Sequence, residues 1–390
     1  MNSQKLTIQQ AISRAKKAAK QGNIAAAVKL YNAVLQQQPN HPIAEKRLRV
    51  LQKKLPQNHS TVSETSNTPQ EQITALVNLY QTGQMEKVEQ VCGKLLESYP
   101  QSLVVINILG TAKKALGKFE DAIAVYNKAL LIEPDYAEAH NNMGTTFEAQ
   151  GKLEDAIAAY NKALVIEPDY AEAHYNMGAA LAGQGKFEEA IAAYNKALLI
   201  KPDLPEAFNN MGIALKGLGR LNDAIKSCER AIQLRPDYAE AYNNLGNTLK
   251  ELGRLSDAVK NCKKAIQLRP GYAEAYNNMG NALQELGQVR EAVASYEKAI
   301  QFRSEFAEAY SNRGNSLKEL GRLSDAIKSC ERAIQLNPDF NEAYSNLGEV
   351  YLELGLNKKG LRMKRFGEHI ISFDTSSGIN ISGRKENESN

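Results

Sequence analysis

The 390 residues include no tryptophan, only four cysteines and only five histidines. Cys92, Cys228, Cys262 and Cys330 never fall into CxxC spacing, so neither a zinc site nor a redox pair is expected. No HExxH, GxSxG, Walker-type or GxGxxG pattern occurs, and with them go the common hydrolase, metalloprotease and nucleotide-binding signatures. No apolar run approaches the roughly 20 residues needed to cross a bilayer. The opening stretch, MNSQKLTIQQAISRAKKAAK, has no apolar h-region, so no secretory signal is expected and the default location is cytoplasmic. No cofactor, metal or small-molecule substrate is implied, and the chain is not expected to be an enzyme.

Charge is unevenly placed. The net value of +4 conceals 11 Lys/Arg against one Glu in residues 1–60 and 7 against 4 in residues 357–390. Residues 61–356 carry 30 against 39. An acidic middle is the wrong sign for a nucleic-acid groove, so nucleic acid is an unlikely partner.

What the chain does have is a period. Pro100, Pro134, Pro168, Pro202, Pro236 and Pro270 are 34 residues apart; Ser304 takes the next place and Pro338 resumes the series. One unit runs from Ala137 to Tyr170, and positions are numbered from one at Ala137. Position eight is glycine in eight units, from Gly110 to Gly348. Positions twenty and twenty-seven are alanine, as at Ala156 and Ala163. Small residues at fixed places let helices approach closely, and Met143, Phe147, Ile157 and Tyr160 fill the space between.

Each unit reads as two helices. The spacing of Asp135 and Glu138, repeated at Asp169/Glu172, Asp203/Glu206, Asp237/Glu240 and Asp339/Glu342, predicts a capping box at the start of the first. Gly151 and its equivalents predict a left-handed C′ residue at its end. The second helix is expected to stop before Pro168.

The pattern His140-x-x-Met143-Gly144-x-x-Phe147…Ala156-x-x-x-Tyr160…Pro168 resembles the tetratricopeptide signature. It recurs in phase through residues 137–340, with weaker units before and after, for about ten in all. The fold class implied is all-α, an α-α superhelix: a tetratricopeptide-repeat (TPR) solenoid of antiparallel helix pairs. The expected organisation is an N-terminal unit with a basic amphipathic cap helix over 8–55, a flexible linker over 56–68 and the solenoid over 69–356. A degenerate C-terminal cap over 357–374 and a disordered tail over 375–390 complete it. Solenoid ends need a capping surface, and the helix 42–55 suits that role better than binding to acidic membrane or RNA.

The repeat is also a control against false motifs. All four cysteines occupy position twenty-four, shared with Tyr126, Tyr160, Tyr194 and Tyr296, so they read as packing residues. His140 and His174 share position four with Phe208, Tyr242, Tyr276, Tyr310 and Tyr344, and read the same way. Arg313 stands where Met or Leu is the rule, nine residues after Ser304, so the junction near 300–313 is a candidate loose joint.

Position six is Asn142, Asn176, Asn210, Asn244, Asn278, Asn312 and Asn346. Asparagine in a helix interior costs roughly 0.5–0.7 kcal/mol against alanine, so seven in register imply a compensating gain. The family resemblance puts the first helix of each unit on the concave face, where such amides could meet the backbone of an extended peptide. The alternative is a ladder that satisfies neighbouring helices within the stack. Position nine supplies Asn247, Asn281 and Asn315, and position twelve supplies Lys216, Lys250 and Lys318. If these face inward, the C-terminal half of the groove is locally basic and suits acidic peptides. Otherwise the lysines are solvated. The lysine carboxylate clamp that some chaperone-binding relatives carry at position five is absent.

The units AEAYNNLGNTLKELGRLSDAVK and AEAYNNMGNALQELGQVREAVA are similar to the repeat arm of peptide O-GlcNAc transferases, although no glycosyltransferase half follows residue 356. The function implied is a non-enzymatic scaffold for proteins or extended peptides, with weak self-association compatible with it. The alternative is the substrate-recruiting arm of a glycosyltransferase or other modifying enzyme whose catalytic domain is elsewhere.

Overall fold

The computed structural model describes residues 70–368, 372–374 and 378–380 continuously, and scattered positions between 12 and 47. The chain divides into two compact units, residues 1–68 and residues 69–390. In the first, Ile12, Ala15, Ala27, Tyr31, Val34 and Ala44 are buried. Most of the expected N-terminal unit and basic helix, and the linker 56–68, lie outside the described residues.

The second unit is a run of helix pairs. They are α1 (Gln70–Gln81), α2 (Met85–Ser98), α3 (Leu103–Ala115), α4 (Phe119–Ile132), α5 (Ala137–Ala149) and α6 (Leu153–Ile166). Then come α7 (Ala171–Gly183), α8 (Phe187–Ile200), α9 (Pro205–Gly217), α10 (Leu221–Leu234), α11 (Ala239–Glu251) and α12 (Leu255–Leu268). The last are α13 (Ala273–Glu285), α14 (Val289–Phe302), α15 (Ala307–Glu319), α16 (Leu323–Leu336), α17 (Asn341–Glu353) and α18 (Asn357–Glu368). A short antiparallel hairpin, β1 (Ser372–Asp374) with β2 (Gly378–Asn380), follows. The sequence reading did not anticipate that hairpin.

The turn between paired helices is set by one glycine. Gly151 has φ +74°, a left-handed value that a side chain disfavours. Its N–H donates to Glu148 O at 2.9 Å and the Lys152 N–H to Phe147 O at 2.9 Å. That is the Schellman arrangement, which satisfies carbonyls the helix end leaves open. The helix starts are not built as expected. The N-cap of α5 is Tyr136, with no side-chain capping bond. Asp135 lies one residue too early, and Glu138 instead accepts from Asn107 and from Tyr136 Oη. The capping-box reading is therefore corrected.

The paired helices lock through position eight against position twenty-four. A Cβ on Gly178 would lie 2.7 Å from the Tyr194 ring, and one on Gly212 would lie 2.8 Å from Cys228 Sγ. The cysteines are thus buried in the seam, as packing residues, and burial pushes each thiol up to about 12. The terminal pair goes further. At Gly360, where alanine was expected, a Cβ would come within 2.6 Å of Leu352 Cγ and 2.8 Å of Gly348 O. This glycine is required by a closer approach of α18 to α17. The junction at 300–313 is continuous too: Arg313 Nε donates to Ser329 Oγ at 3.0 Å and its guanidinium lies 5.4 Å from the Tyr310 ring centroid. No loose joint forms there.

Successive first helices touch one another along the row α3, α5, α7, α9, α11, α13, α15, α17. The second helices meet the next first helix instead. First helices are therefore crowded on the inner side of the curve and second helices are spread on the outer side.

Candidate peptide-binding face

The inner face is built from positions two, five, six, nine, twelve and thirteen of the first helices. Asn142 donates to Asn107 Oδ1 at 2.7 Å, Asn176 to Asn141 Oδ1 at 3.0 Å and Asn210 to Tyr175 Oη at 3.1 Å. Asn244 donates to Asn209 Oδ1 at 2.9 Å, Asn278 to Asn243 Oδ1 at 2.9 Å, Asn312 to Asn277 Oδ1 at 3.1 Å and Asn346 to Ser311 Oγ at 3.0 Å. Every position-six amide thus reaches position five of the preceding unit, across 35 residues. Position five is buried where it accepts as Asn141, Asn209, Asn243, Asn277 or Ser311. Buried polar atoms need such partners, and a net bond of this kind contributes about 0.5–1.5 kcal/mol. The position-six amides themselves are half-buried, so each first helix is tied to the next while part of each amide stays accessible.

The lysines are tied as well. Lys216 pairs with Glu251 at 2.8 Å, Lys250 with Glu285 at 3.5 Å and Lys318 with Glu349 at 2.5 Å. Between them Gln284 donates to Glu319 at 2.8 Å. These cations are neutralised by the next unit, so the C-terminal half of the face is not the free basic groove that the lysines alone suggested.

A cavity of about 770 Å³ opens on this half, across α11, α13, α15 and the start of α17. Among the sequence candidates it gathers Lys250, Asn281, Asn312 and Asn315. The candidates Asn142, Asn176, Asn210, Asn244, Asn247, Asn278, Asn346, Lys216 and Lys318 do not line it. Asn281 Oδ1 accepts from Tyr296 Oη at 2.8 Å and from Asn312 Nδ2 at 3.0 Å, which fixes its amide. The residues missed from the sequence are acidic: Glu285, Glu308, Glu319 and Glu342 all border the cavity, against the one ammonium of Lys250. They occupy positions two and thirteen, which a search for recurrent asparagine and lysine passes over. Lys114, at position twelve of an earlier unit, was also missed. Burial holds its ammonium below the usual lysine range, opposed by Glu148 and Glu172, and it donates to Thr145 Oγ1 at 2.9 Å. Among the described residues, no group of His, Cys, Asp and Glu could hold a metal ion, and no helix is long and apolar enough to cross a membrane.

The family model for the TPR repeat matches residues 110–151, 146–185, 181–219, 216–253, 246–287 and 280–321, and that for the tetratricopeptide repeat matches residues 307–340. The chain belongs to the tetratricopeptide-repeat family. No curated protein matches it. Among solved structures, the TPR solenoid is similar to the APC/C hetero-tetramer Cut9-Hcn1, at 15% identity and TM-score 0.58, over 88% of this chain and 76% of that one. It is similar to MamA at 29% identity and TM-score 0.39, over 43% of this chain and 97% of that one. YrrB, a TPR protein with an unusual peptide-binding site, matches at 26% identity and TM-score 0.40, over 47% of this chain and 95% of that one. The repeats place the chain among protein-interaction scaffolds, an all-α superhelix of TPR units.

Proposed function

We propose that the inner face holds extended polypeptide segments, and that the segments it prefers carry lysine or arginine. The observation behind this reading is the cavity across α11, α13 and α15, where fixed amides stand among four carboxylates and one ammonium. A carboxamide offers donors and an acceptor to a peptide backbone whatever its side chains, while a surplus of carboxylates selects basic ones by charge complementarity. Asn281 and Asn315 act as backbone contacts in this reading. The position-six amides chiefly hold the register of the stack and present whatever part of each amide the stack leaves accessible.

The test begins with random 12-residue peptides displayed on phage and panned on the full chain. Selected peptides, made synthetically, should bind the Asn281→Ala/Asn315→Ala variant about tenfold more weakly, the loss of roughly 1.4 kcal/mol of contact. N-methylation of their backbone should weaken binding by a similar factor. Equal affinity of the variant, or selected peptides that are predominantly acidic and bind there, would remove the proposal.

A further inference from the structure

The outer face differs between the two halves of the solenoid. At position twenty-nine, near the end of each second helix, stand Leu131, Val165 and Leu199, which are 85%, 82% and 85% exposed. They are the most exposed large apolar side chains among the described residues. Three residues earlier, on the same side of each helix, stand Lys128, Lys162 and Lys196, all exposed. Among the described residues, none of these lysines has a carboxylate within ion-pair distance.

The later units provide an internal comparison. There position twenty-nine is Gln233, Gln267, Gln301 and Gln335. The neighbouring cation donates to it in three of the four: Arg230 at 3.1 Å, Lys298 at 3.0 Å and Arg332 at 3.3 Å. In those three units the surface satisfies itself. The earlier surface leaves an apolar row beside a row of ammonium groups, the pattern of an uncovered contact patch.

Between the second helices α6 and α8 lies a groove of about 400 Å³, with Val165 and Leu199 among its walls and His174 and Met177 among the residues lining it from α7. His174 is 6% exposed. Its Nε2 lies 3.0 Å from Pro168 O, a carbonyl that can only accept, so Nε2 carries the hydrogen and Nδ1 of the neutral ring is an acceptor. Nδ1 is buried and has no hydrogen-bond partner. A buried polar atom of this kind is uncommon, and because it is closed to solvent it offers no contact to a ligand in the groove. In the later units the same position holds Phe208, Tyr242, Tyr276, Tyr310 and Tyr344, which bring bulk in place of the imidazole.

We infer that the outer face of the helix pairs over 103–204 is a second docking surface, which takes an acidic polypeptide segment anchored by apolar side chains. The apolar row supplies the anchoring contacts. The three lysines select carboxylates between the anchors. The groove between Val165 and Leu199 receives one of the anchors. The preference is for acidic segments, the opposite charge from the inner face, so the two sites succeed or fail separately.

The experiment uses fluorescein-labelled 12-residue peptides in which Tyr or Trp and Leu alternate with Asp and Glu, titrated into the full chain and read by anisotropy. A parallel set carries Lys for Asp and Glu. The variant Leu131→Gln/Val165→Gln/Leu199→Gln transfers the later units' own residue and should keep wild-type helicity. It should bind the acidic peptides at least about tenfold more weakly than the wild type, the scale expected when central anchors are truncated. Two results overturn the inference: acidic peptides that bind the glutamine variant as well as the wild type, or no peptide binding alongside wild-type-only retention on vesicles of phosphatidylcholine and phosphatidylserine. The second would make this surface a membrane contact.

Discussion

At position eight a single methyl group is enough to disturb the stack. A Cβ on Gly280 would lie 2.5 Å from Tyr296 Cε1. Tyr296 is fully buried, and its hydroxyl is held by Asn281 at 2.8 Å and Gln284 at 3.1 Å, so the ring has nowhere to move. Helix propensity favours alanine over glycine by about 1 kcal/mol, but overpacking a tight core costs about 1–3 kcal/mol. Gly280→Ala should therefore lower the urea midpoint despite its better propensity; a raised midpoint would show that the helices can separate without cost. The histidines carry a second prediction. Burial lowers the pKa of His174, aided by Lys196 and opposed by the Pro168 carbonyl and Asp169; burial and Lys162 lower that of His140. A folded-state value below the unfolded one, about 6.5, means that the unfolded chain takes up the proton first as pH falls. Stability from these groups is present above about pH 6.5 and declines as the pH drops below it. The variant His140→Tyr/His174→Tyr should lose less stability than the wild type between about pH 7.5 and about pH 5.5, measured by urea unfolding. Equal losses would assign the acid sensitivity to other groups.

Between elements, the contacts run at a different interval from the sequence pattern. Like residues recur every 34 positions, but Asn278 meets Asn243 and Lys216 meets Glu251 across 35. Sequence comparison lines up position six with position six, whereas the fold brings position six against position five. That offset is why the asparagine column was conspicuous in the sequence and its partner column was not. The helix pairs, the left-handed glycines and the packing role of the cysteines were legible, because each is a matter of residue size or backbone conformation at one position. The pairing of Lys250 with Glu285, and the acidic lining around Asn315, depend on how one unit is rotated against the next, which periodicity does not encode. The asparagine seam can be measured. Asn278→Ala leaves the buried Asn243 Oδ1 without its donor, and Asn243→Ala leaves the Asn278 amide without its acceptor. Each should cost about 1–3 kcal/mol, and the double variant should cost less than the two together by about 0.5–1.5 kcal/mol. A double-mutant cycle by urea unfolding reads that coupling, and strictly additive losses would mean the bond contributes nothing.

For the solenoid as a whole, contacts between neighbouring units imply that a complete unit can be removed without damage if the phase is kept. Residues 239–272 form one unit, α11 with α12. Several of its contacts are internal and leave together: Arg269 with Glu240, and Gly246 against Cys262. Its contacts with neighbours have ready substitutes. Without it, Asn278 meets Asn209 in place of Asn243, and Lys216 meets Glu285 in place of Glu251, each restoring the chemistry of the lost pair. Stability in such stacks is approximately a sum of unit and interface terms, so the deletion removes one of each and leaves the rest unchanged. The shortened chain should fold, with helical circular dichroism per residue equal to that of the parent. Its urea m-value should fall roughly in proportion to the surface removed, and its midpoint should fall modestly. Deleting four residues fewer is the decisive comparison. That change rotates the next first helix out of register with the one before it, so at that junction asparagine no longer meets asparagine, while the contacts inside each later unit stay intact. The in-phase deletion should remain cooperative while the out-of-phase one loses helicity in the flanking units. If both deletions unfolded alike, the stack would owe its stability to long-range cooperation along the solenoid rather than to neighbouring helix pairs.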